Sequence, residues 1–222
     1  MKTRDRILIA SLKLFNQKGE RNVSTNHIAA AMDISPGNLY YHFRNKQEIV
    51  FELFQQYTAE VSAFLSVPAD RALTFADKIQ YYEAIFKSIW DYRFLHRDMA
   101  HLMESCERLR EGYQAFTRQT LVQGKDVLSG LRDAGLMDLS DELLDALMIN
   151  IWVLVTSWSS FLLAISHSRN DENTLSESKM KRGIYQLITL TEPYATPDNE
   201  EALQRLKRDY LGGDSSDPYA LF

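Results

Sequence analysis

Apolar residues recur at three- and four-residue intervals along almost the whole chain, and no segment alternates apolar and polar positions as a strand does. Residues 3–18 place Ile7, Ala10 and Leu14 beside Leu8, Leu12 and Phe15, with Gly19 as a stop. Ser24 can cap a short second helix holding Ile28, Ala29 and Ala31, and a turn follows at Met32-Asp33-Ile34. Ser35 stands as the next N-cap with Pro36 in the first helical position, where its missing N–H is no loss, and this third helix ends near Phe43. Asn45 and Glu48 form a capping-box pattern for a fourth helix that runs through Ile49, Leu53, Tyr57, Val61 and Phe64 and stops before Pro68. Longer helices are predicted over 72–93, 97–105, 107–134, 140–167 and 174–191, the last opened by a Thr174/Glu177 capping box. Asp198 and Glu201 start a final one through Leu203, Leu206 and Tyr210, and residues 212–222 read as a flexible tail. The predicted class is all-α.

The first three helices carry the sharpest chemistry. A three- to four-residue turn between the second and third describes a helix-turn-helix unit. In the third helix Leu39 and Phe43 can face inward, leaving Gly37, Asn38, Tyr40, Tyr41 and His42 outside. Gly37 admits a close backbone approach, Asn38 can hydrogen-bond a base edge, and tyrosine offers a hydroxyl for phosphate and a ring for a thymine methyl. Ser24, Thr25 and Lys46 can meet phosphates. A polar-aromatic packing edge is the plainer alternative for Tyr40-Tyr41-His42.

The run from Val23 to Val50, VSTNHIAAAMDISPGNLYYHFRNKQEIV, resembles the DNA-binding region of the TetR family of bacterial transcription regulators. The matching positions are Ser24-Thr25, Ile28-Ala29, Ile34-Ser35, Gly37, Leu39-Tyr40, His42-Phe43 and Lys46, and Ile7 to Gly19 is similar to the family's first helix. The likeness is strong over residues 3–65 and holds only in helical plan beyond. Asp33 departs from the family's usual turn glycine, but Asp tolerates a left-handed conformation better than most residues. The resemblance implies base or base-adjacent contacts from Asn26, Pro36, Gly37, Asn38, Tyr40 and Tyr41, and phosphate contacts from Thr25, His42 and Lys46. The expected DNA-binding set is therefore Ser24, Thr25, Asn26, Ser35, Pro36, Gly37, Asn38, Tyr40, Tyr41, His42 and Lys46. It also implies a DNA-binding domain over 1–46 and an effector-binding and dimerisation domain over 47–211.

Composition agrees once it is divided. The 222 residues carry a net charge of −5, which taken whole argues against a nucleic-acid partner. The first fifty hold eight Lys/Arg against four Asp/Glu, a net of +4, which leaves −9 for the rest. One cysteine, Cys106, excludes an internal disulfide and suits a reducing compartment, and no export signal opens the chain. A cytoplasmic location is expected.

The acidic body contains 21 residues without a formal charge, Ala146 to Ser166. That length can span a bilayer. Asn150, Thr156, Ser157, Ser159 and Ser160 interrupt its apolar character and no Lys/Arg cluster flanks it, so a buried helix is expected instead. Under the resemblance, residues 140–167 and 174–191 form the interface of a homodimer, whose two recognition helices would read a palindromic double-stranded DNA operator about one turn (~34 Å) apart. Phe75, Tyr82, Phe86, Trp90, His101, Met103, Tyr113, Phe116, Trp152 and Phe161 are expected to line a pocket for a small hydrophobic or aromatic effector. Arg93, His96, Arg97 and His101 could anchor an acidic one. The mechanism expected is a repressor released when effector binding shifts the fourth helix.

An enzyme is the rival of a different class. His96-Arg97-Asp98 imitates a kinase catalytic loop, but Met103 stands where its asparagine belongs, and no Gly-rich phosphate loop accompanies it. The histidines lack metal spacing, Cys106 has no identifiable activating base, and no Gly-x-Ser-x-Gly occurs. No catalytic residue, metal or cofactor is expected. A regulator controlled by a protein partner, without a small effector, is the third alternative.

Overall fold

The computed structural model describes residues 1–165 and 175–211. The expected flexible tail (212–222), Thr174, Ser166 and His167 lie outside the described residues. Ten α-helices occur among the described residues: α1 (Thr3–Lys18), α2 (Thr25–Ala31), α3 (Pro36–His42), α4 (Lys46–Phe64), α5 (Phe75–Asp91), α6 (Arg93–Ser105), α7 (Glu107–Asp133), α8 (Asp141–Ile165), α9 (Glu177–Thr191) and α10 (Glu200–Leu211). Short 3-10 turns lie at Glu20–Asn22, Glu192–Tyr194 and Pro197–Asn199.

Most boundaries follow the cap chemistry. Ser24 accepts from the backbone N–H of His27, and Ser35 accepts from that of Asn38, satisfying donors that a helix start leaves unpaired. Asp33 has φ 55°, the left-handed conformation expected of it, and the turn closes with the Ile34 N–H on the Ala29 carbonyl at 3.1 Å. Three starts differ from the sequence reading. α5 begins at Phe75 rather than 72, because Thr74 and Asp77 cap each other: the Thr74 N–H donates to Asp77 Oδ2 (2.8 Å) and the Asp77 N–H to Thr74 Oγ1 (3.3 Å). Arg71 beside it, with those Thr74 bonds, holds the Asp77 carboxyl far below the usual carboxylate range. α6 begins four residues early, at Arg93, because Asn16 caps it from elsewhere in the sequence. α9 is capped by Ser176, which accepts from Lys179 N–H, so it starts at Glu177.

The chain forms two compact units. The first joins residues 1–60 to 91–116, so the boundary expected after residue 46 falls inside it. Its core runs from Ile7, Leu8 and Phe15 through Ile28, Leu39 and Phe43 to Ile49, Leu53 and Phe54. Phe94, Leu95, Leu102 and Leu109 complete it. Each fully buried side chain of this size contributes roughly 1.5–3 kcal/mol. α6 is fastened to the end of α1: Asn16 Nδ2 donates to the Asp91 carbonyl (2.7 Å), its Oδ1 accepts from Phe94 N–H (3.1 Å), and Arg97 Nη2 donates to the Phe15 carbonyl (2.7 Å). The Phe15 and Phe94 rings lie 5.2 Å apart beneath these bonds.

The second unit joins residues 61–90 to 117–222. In it α8 packs on α9, and α9 on α10. The inward row of α8 is Leu144, Leu147, Met148, Ile151, Val155, Trp158, Ser159 and Leu162. It meets Met180, Gly183, Ile184, Leu187 and Ile188 of α9, with Trp158 Nε1 donating to the Lys179 carbonyl at 3.2 Å. The glycine is a spacing device: a methyl group at Gly183 would overlap the Phe86 ring and stand 2.9 Å from Trp158 Cδ1. Gly124 and Gly130 of α7 admit Met148 and Leu73 in the same way. The inward row of α5 is Lys78, Tyr81, Tyr82, Phe86, Ser88 and Ile89. Lys78 is 1% exposed, and burial holds its ammonium pKa down to about 8.

Two stability outcomes follow from this packing. Gly183→Ala should lower stability by about 1–3 kcal/mol through overpacking, and Phe86→Leu in the same chain should recover part of it, both read as shifts in Tm. Lys78→Met should be more stable than the parent at pH 7, because the unfolded state holds the lysine proton more tightly than the folded state does. The difference should narrow as pH rises from about 8 through 10.5, over which the lysine of the unfolded state also loses its proton. A stability difference that widens over that range would contradict a depressed folded-state value.

Candidate nucleic-acid interface

The inward residues of the first unit leave a defined set outside. Leu39 and Phe43 are buried, so α3 is held by one edge, and Pro36, Gly37, Asn38, Tyr40 and Tyr41 stay exposed. Tyr41 is 85% exposed, its ring edge-on to His42 at 5.1 Å. A methyl group added at Gly37 would meet only Ser35 Oγ, at 3.8 Å, so nothing inside the protein demands a glycine there. The absent side chain opens the surface outward, as a close backbone approach by a ligand requires. Asn26 of α2 is exposed as well.

Other members of the expected set have structural partners. Ser24 and Ser35 hold the helix caps, so their side-chain oxygens are occupied by backbone N–H groups. Thr25 Oγ1 and the Tyr40 hydroxyl share a hydrogen bond of 2.9 Å, which ties α2 to α3 and fixes the Tyr40 ring. Lys46 Nζ pairs with Glu20 Oε1 (2.8 Å) and donates to the Glu20 carbonyl (3.0 Å). Glu20 is buried, with Oε2 left without a hydrogen-bond partner, so Lys46 neutralises an interior carboxylate. The free polar surface is therefore Asn26, Asn38 and Tyr41 with Gly37 between them, flanked by the half-buried His42.

The residues expected to line an effector pocket divide between the two units. Tyr113 and Phe116 belong to the first, where their rings pack with Phe54 (6.5 and 6.1 Å), and Phe116 lies 5.4 Å from Tyr57. His101 is half-buried on α6, and Met103 borders a groove with Ala100, Glu104, Glu107, Arg110 and Gln114. Phe75, Tyr82, Phe86, Trp90, Trp152 and Phe161 belong to the second. There Tyr82 and Phe86 are buried, while Phe75, Trp90 and Trp152 are half-buried. Phe161 is exposed, its ring 5.4 Å from Trp158. Two of the expected polar anchors are committed elsewhere. His96 is buried with Nε2 3.1 Å from the Tyr57 hydroxyl, and Arg97 is bonded to Phe15 and Asp98.

Sequence reasoning passed over Asn16 and Lys78. Lys78 stands in the apolar stripe of α5 with Tyr82, Phe86 and Ile89, where the helical period calls for an apolar residue, and that mismatch was visible in the sequence. Asn16 left no local signal, because its two partners lie 75 and 78 residues away. No cluster of three or more His, Cys, Asp or Glu suited to a metal occurs among the described residues.

The comparisons with known proteins bear on both units. Residues 7–53 match the family described as bacterial regulatory proteins of the tetR family, and residues 56–203 match the TetR description "Bacterial transcriptional repressor". A crystal structure of a TetR-family transcriptional regulator from Marinobacter aquaeolei VT8 is 44% identical, with a TM-score of 0.85, over 95% of this chain and 99% of that one. The HTH-type transcriptional repressor NicS of Pseudomonas putida is 27% identical over 120 residues, 54% of this chain and 55% of that protein. The probable HTH-type transcriptional regulator YttP of Bacillus subtilis is 27% identical over 46% of this chain and 48% of its own. The chain spans about half the length of the curated relatives it matches. The ketosteroid transcriptional regulator KstR2 of Mycobacterium tuberculosis, at 19% identity and a TM-score of 0.61 over 88% of this chain and 96% of that one, shares the fold. With both of its stretches matched, the chain belongs to the TetR family of bacterial transcriptional regulators.

Proposed function

We propose that the protein is a sequence-specific transcription regulator, and not an enzyme. It binds a palindromic DNA operator as a homodimer in the bacterial cytoplasm and represses until a small, largely apolar effector releases it. The observation that carries the DNA-binding reading is the outward surface of α3. Asn38 and Tyr41 stand exposed beside a glycine that the protein's own packing does not need, on a helix whose other edge is locked into a closed core. Base readout falls to Asn26, Asn38 and Tyr41, and Gly37 admits the DNA backbone. Ser24, Thr25, Ser35, Pro36 and Tyr40 set the geometry of that surface, and the α2 and α3 N-termini offer N–H groups to phosphate. His42 can offer a ring N–H to phosphate at its edge, and Lys46, paired with Glu20, borders it.

The homodimer reading rests on α8. Its inward face is covered, while the opposite face presents Leu143, Ile149, Val153 and Phe161, with Val153 55% exposed. By length and composition alone α8 could cross a membrane, with 33% of its most apolar window buried. Ser157 and Ser160 on the exposed side suit a second protein surface better than lipid. The apolar residues of α9 face α8 within the chain, so α9 would contribute its half-exposed edge, including Tyr185 and Thr189. Residues 166, 167 and 174 of the expected interface lie outside the described residues.

Release requires that an effector favour a form with misplaced α3 helices. The tie of α6 to α1 through Asn16, Arg97 and the Phe15–Phe94 ring pair supports a route by which movement of α6 would reach the DNA-binding helices. This adds α6 to the fourth-helix route expected from sequence.

Selection of bound sites from a genomic DNA library, followed by anisotropy titration at fixed salt, tests the DNA reading. Tyr41→Ala, Asn38→Ala and Gly37→Ala should each weaken the selected site at least tenfold while Tm stays within about two degrees. Wild-type affinity from any of the three would remove α3 as the reading element. Lys46→Ala should lower Tm, because it leaves Glu20 buried without its cation, and should weaken all DNA sequences alike. For assembly, Val153→Asp and Ile149→Asp should convert a dimer to a folded monomer in sedimentation velocity with helical content retained. Dimers persisting in both would place the interface elsewhere.

A further inference from the structure

The second unit holds a cation in its interior with nothing among the described residues to neutralise it. Lys78 lies on the inward row of α5, and no hydrogen bond or ion pair reaches its Nζ from the described residues. The feature nearest in kind is the Tyr82 ring, whose centroid is 6.0 Å away, at the outer limit of a cation–π contact. The Tyr82 hydroxyl is occupied by Thr191 Oγ1 at 2.8 Å. The perturbation of the lysine comes from burial alone, without a carboxylate to offset it. By contrast, the buried Glu20 of the first unit is paired with Lys46. Four polar atoms of the same unit as Lys78, Thr120 Oγ1 and Gln123 Oε1 of α7, Ser159 Oγ of α8 and Arg182 Nη1 of α9, are buried without a hydrogen-bond partner. A helix face built only for packing does not retain an unneutralised ammonium, since a Met or Leu would pack there better.

We infer that Lys78 is the anchor for the negatively charged end of the effector, and that the effector is an organic carboxylate with an apolar body. The carboxylate would supply the missing counter-charge to Nζ. Tyr82, Phe86 and Trp158 are buried in the same unit, and they are the aromatic rings that the apolar body would displace or pack against. A single ammonium suits a singly charged carboxylate better than a phosphate ester, for which a forked guanidinium or several donors are the usual receptors. The anchor takes the place of the set expected from sequence, Arg93, His96, Arg97 and His101, of which His96 and Arg97 hold the first unit together. This inference rests on the reading of the protein as an effector-controlled regulator and gives that effector its chemical class.

The test uses the full chain, straight-chain alkanoates of four to fourteen carbons and phenylalkanoates, each compared with the alcohol and primary amide of the same carbon skeleton. Thermal shift is measured for wild type, Lys78→Met and Lys78→Arg, and operator binding without ligand is measured for all three. One or more carboxylates should raise the wild-type Tm by several degrees, rising with apolar length to an optimum, while the alcohols and amides give no shift. Lys78→Met should lose the shift at least tenfold in ligand concentration, though its own Tm is no lower, and Lys78→Arg should retain part of it. The inference is overturned if Lys78→Met responds as wild type does, if the neutral analogues act equally well, or if no carboxylate in the series shifts wild type. Failure of the regulator reading looks different: wild type then binds no selected DNA site, whatever the ligand result. Neutral analogues that stabilise and release operator would keep that reading and discard Lys78 as the anchor.

Discussion

The tie between the end of α1 and the start of α6 is the constraint on which the first unit depends. Asn16 uses both ends of its amide, one as donor to Asp91 and one as acceptor from Phe94, so a single side chain ends one helix and begins another. Arg97 adds a charged donor to the Phe15 carbonyl. The Phe15–Phe94 ring pair adds apolar contact between the same two helices. A helix-turn-helix of three short helices has little core of its own. Here residues 91–116 enlarge that core, and Phe94, Leu95, Leu102 and Leu109 serve it as fully as Ile28 or Leu39 does.

The same sparing use of polar groups shapes the surface proposed to meet DNA. Ser24, Ser35, Thr25, Tyr40 and Lys46 each make an internal bond that positions α2 or α3. Their internal role does not remove them from the proposed interface, since a capped helix start still points N–H groups outward. It divides the set, however, into residues that build the surface and residues free to read.

In the second unit the recurring theme is helix surfaces with two unequal faces. α8 is apolar on both, and only one is used within the chain. α5 is apolar on its inward face except at Lys78, where a cation sits among aromatic side chains. A surplus apolar face and an uncompensated interior charge are both unfavourable in an isolated chain. In the function proposed above, each would be relieved by a second molecule, a protein copy in the first case and a small anion in the second.

Helical class, caps and the outward residues of α3 were determined by the sequence itself, because they depend on neighbours within four residues: Ser35 with Asn38, Ser24 with His27, Asp33 in its own turn. Composition also marked residues 146–166 as an uncharged stretch to be buried. Only the tertiary structure decided which side of that helix is covered, since a helix presents the same pattern whether its partner is its own chain or another. It also decided the early start of α6, set by Asn16 across more than seventy residues, and the engagement of Arg97 with Phe15 and of His96 with Tyr57. Lys78 lies between the two cases. Its place in an apolar stripe was legible, but its isolation from any counter-charge among the described residues was not, because charge compensation comes from side chains brought together in space and not from those nearby in sequence.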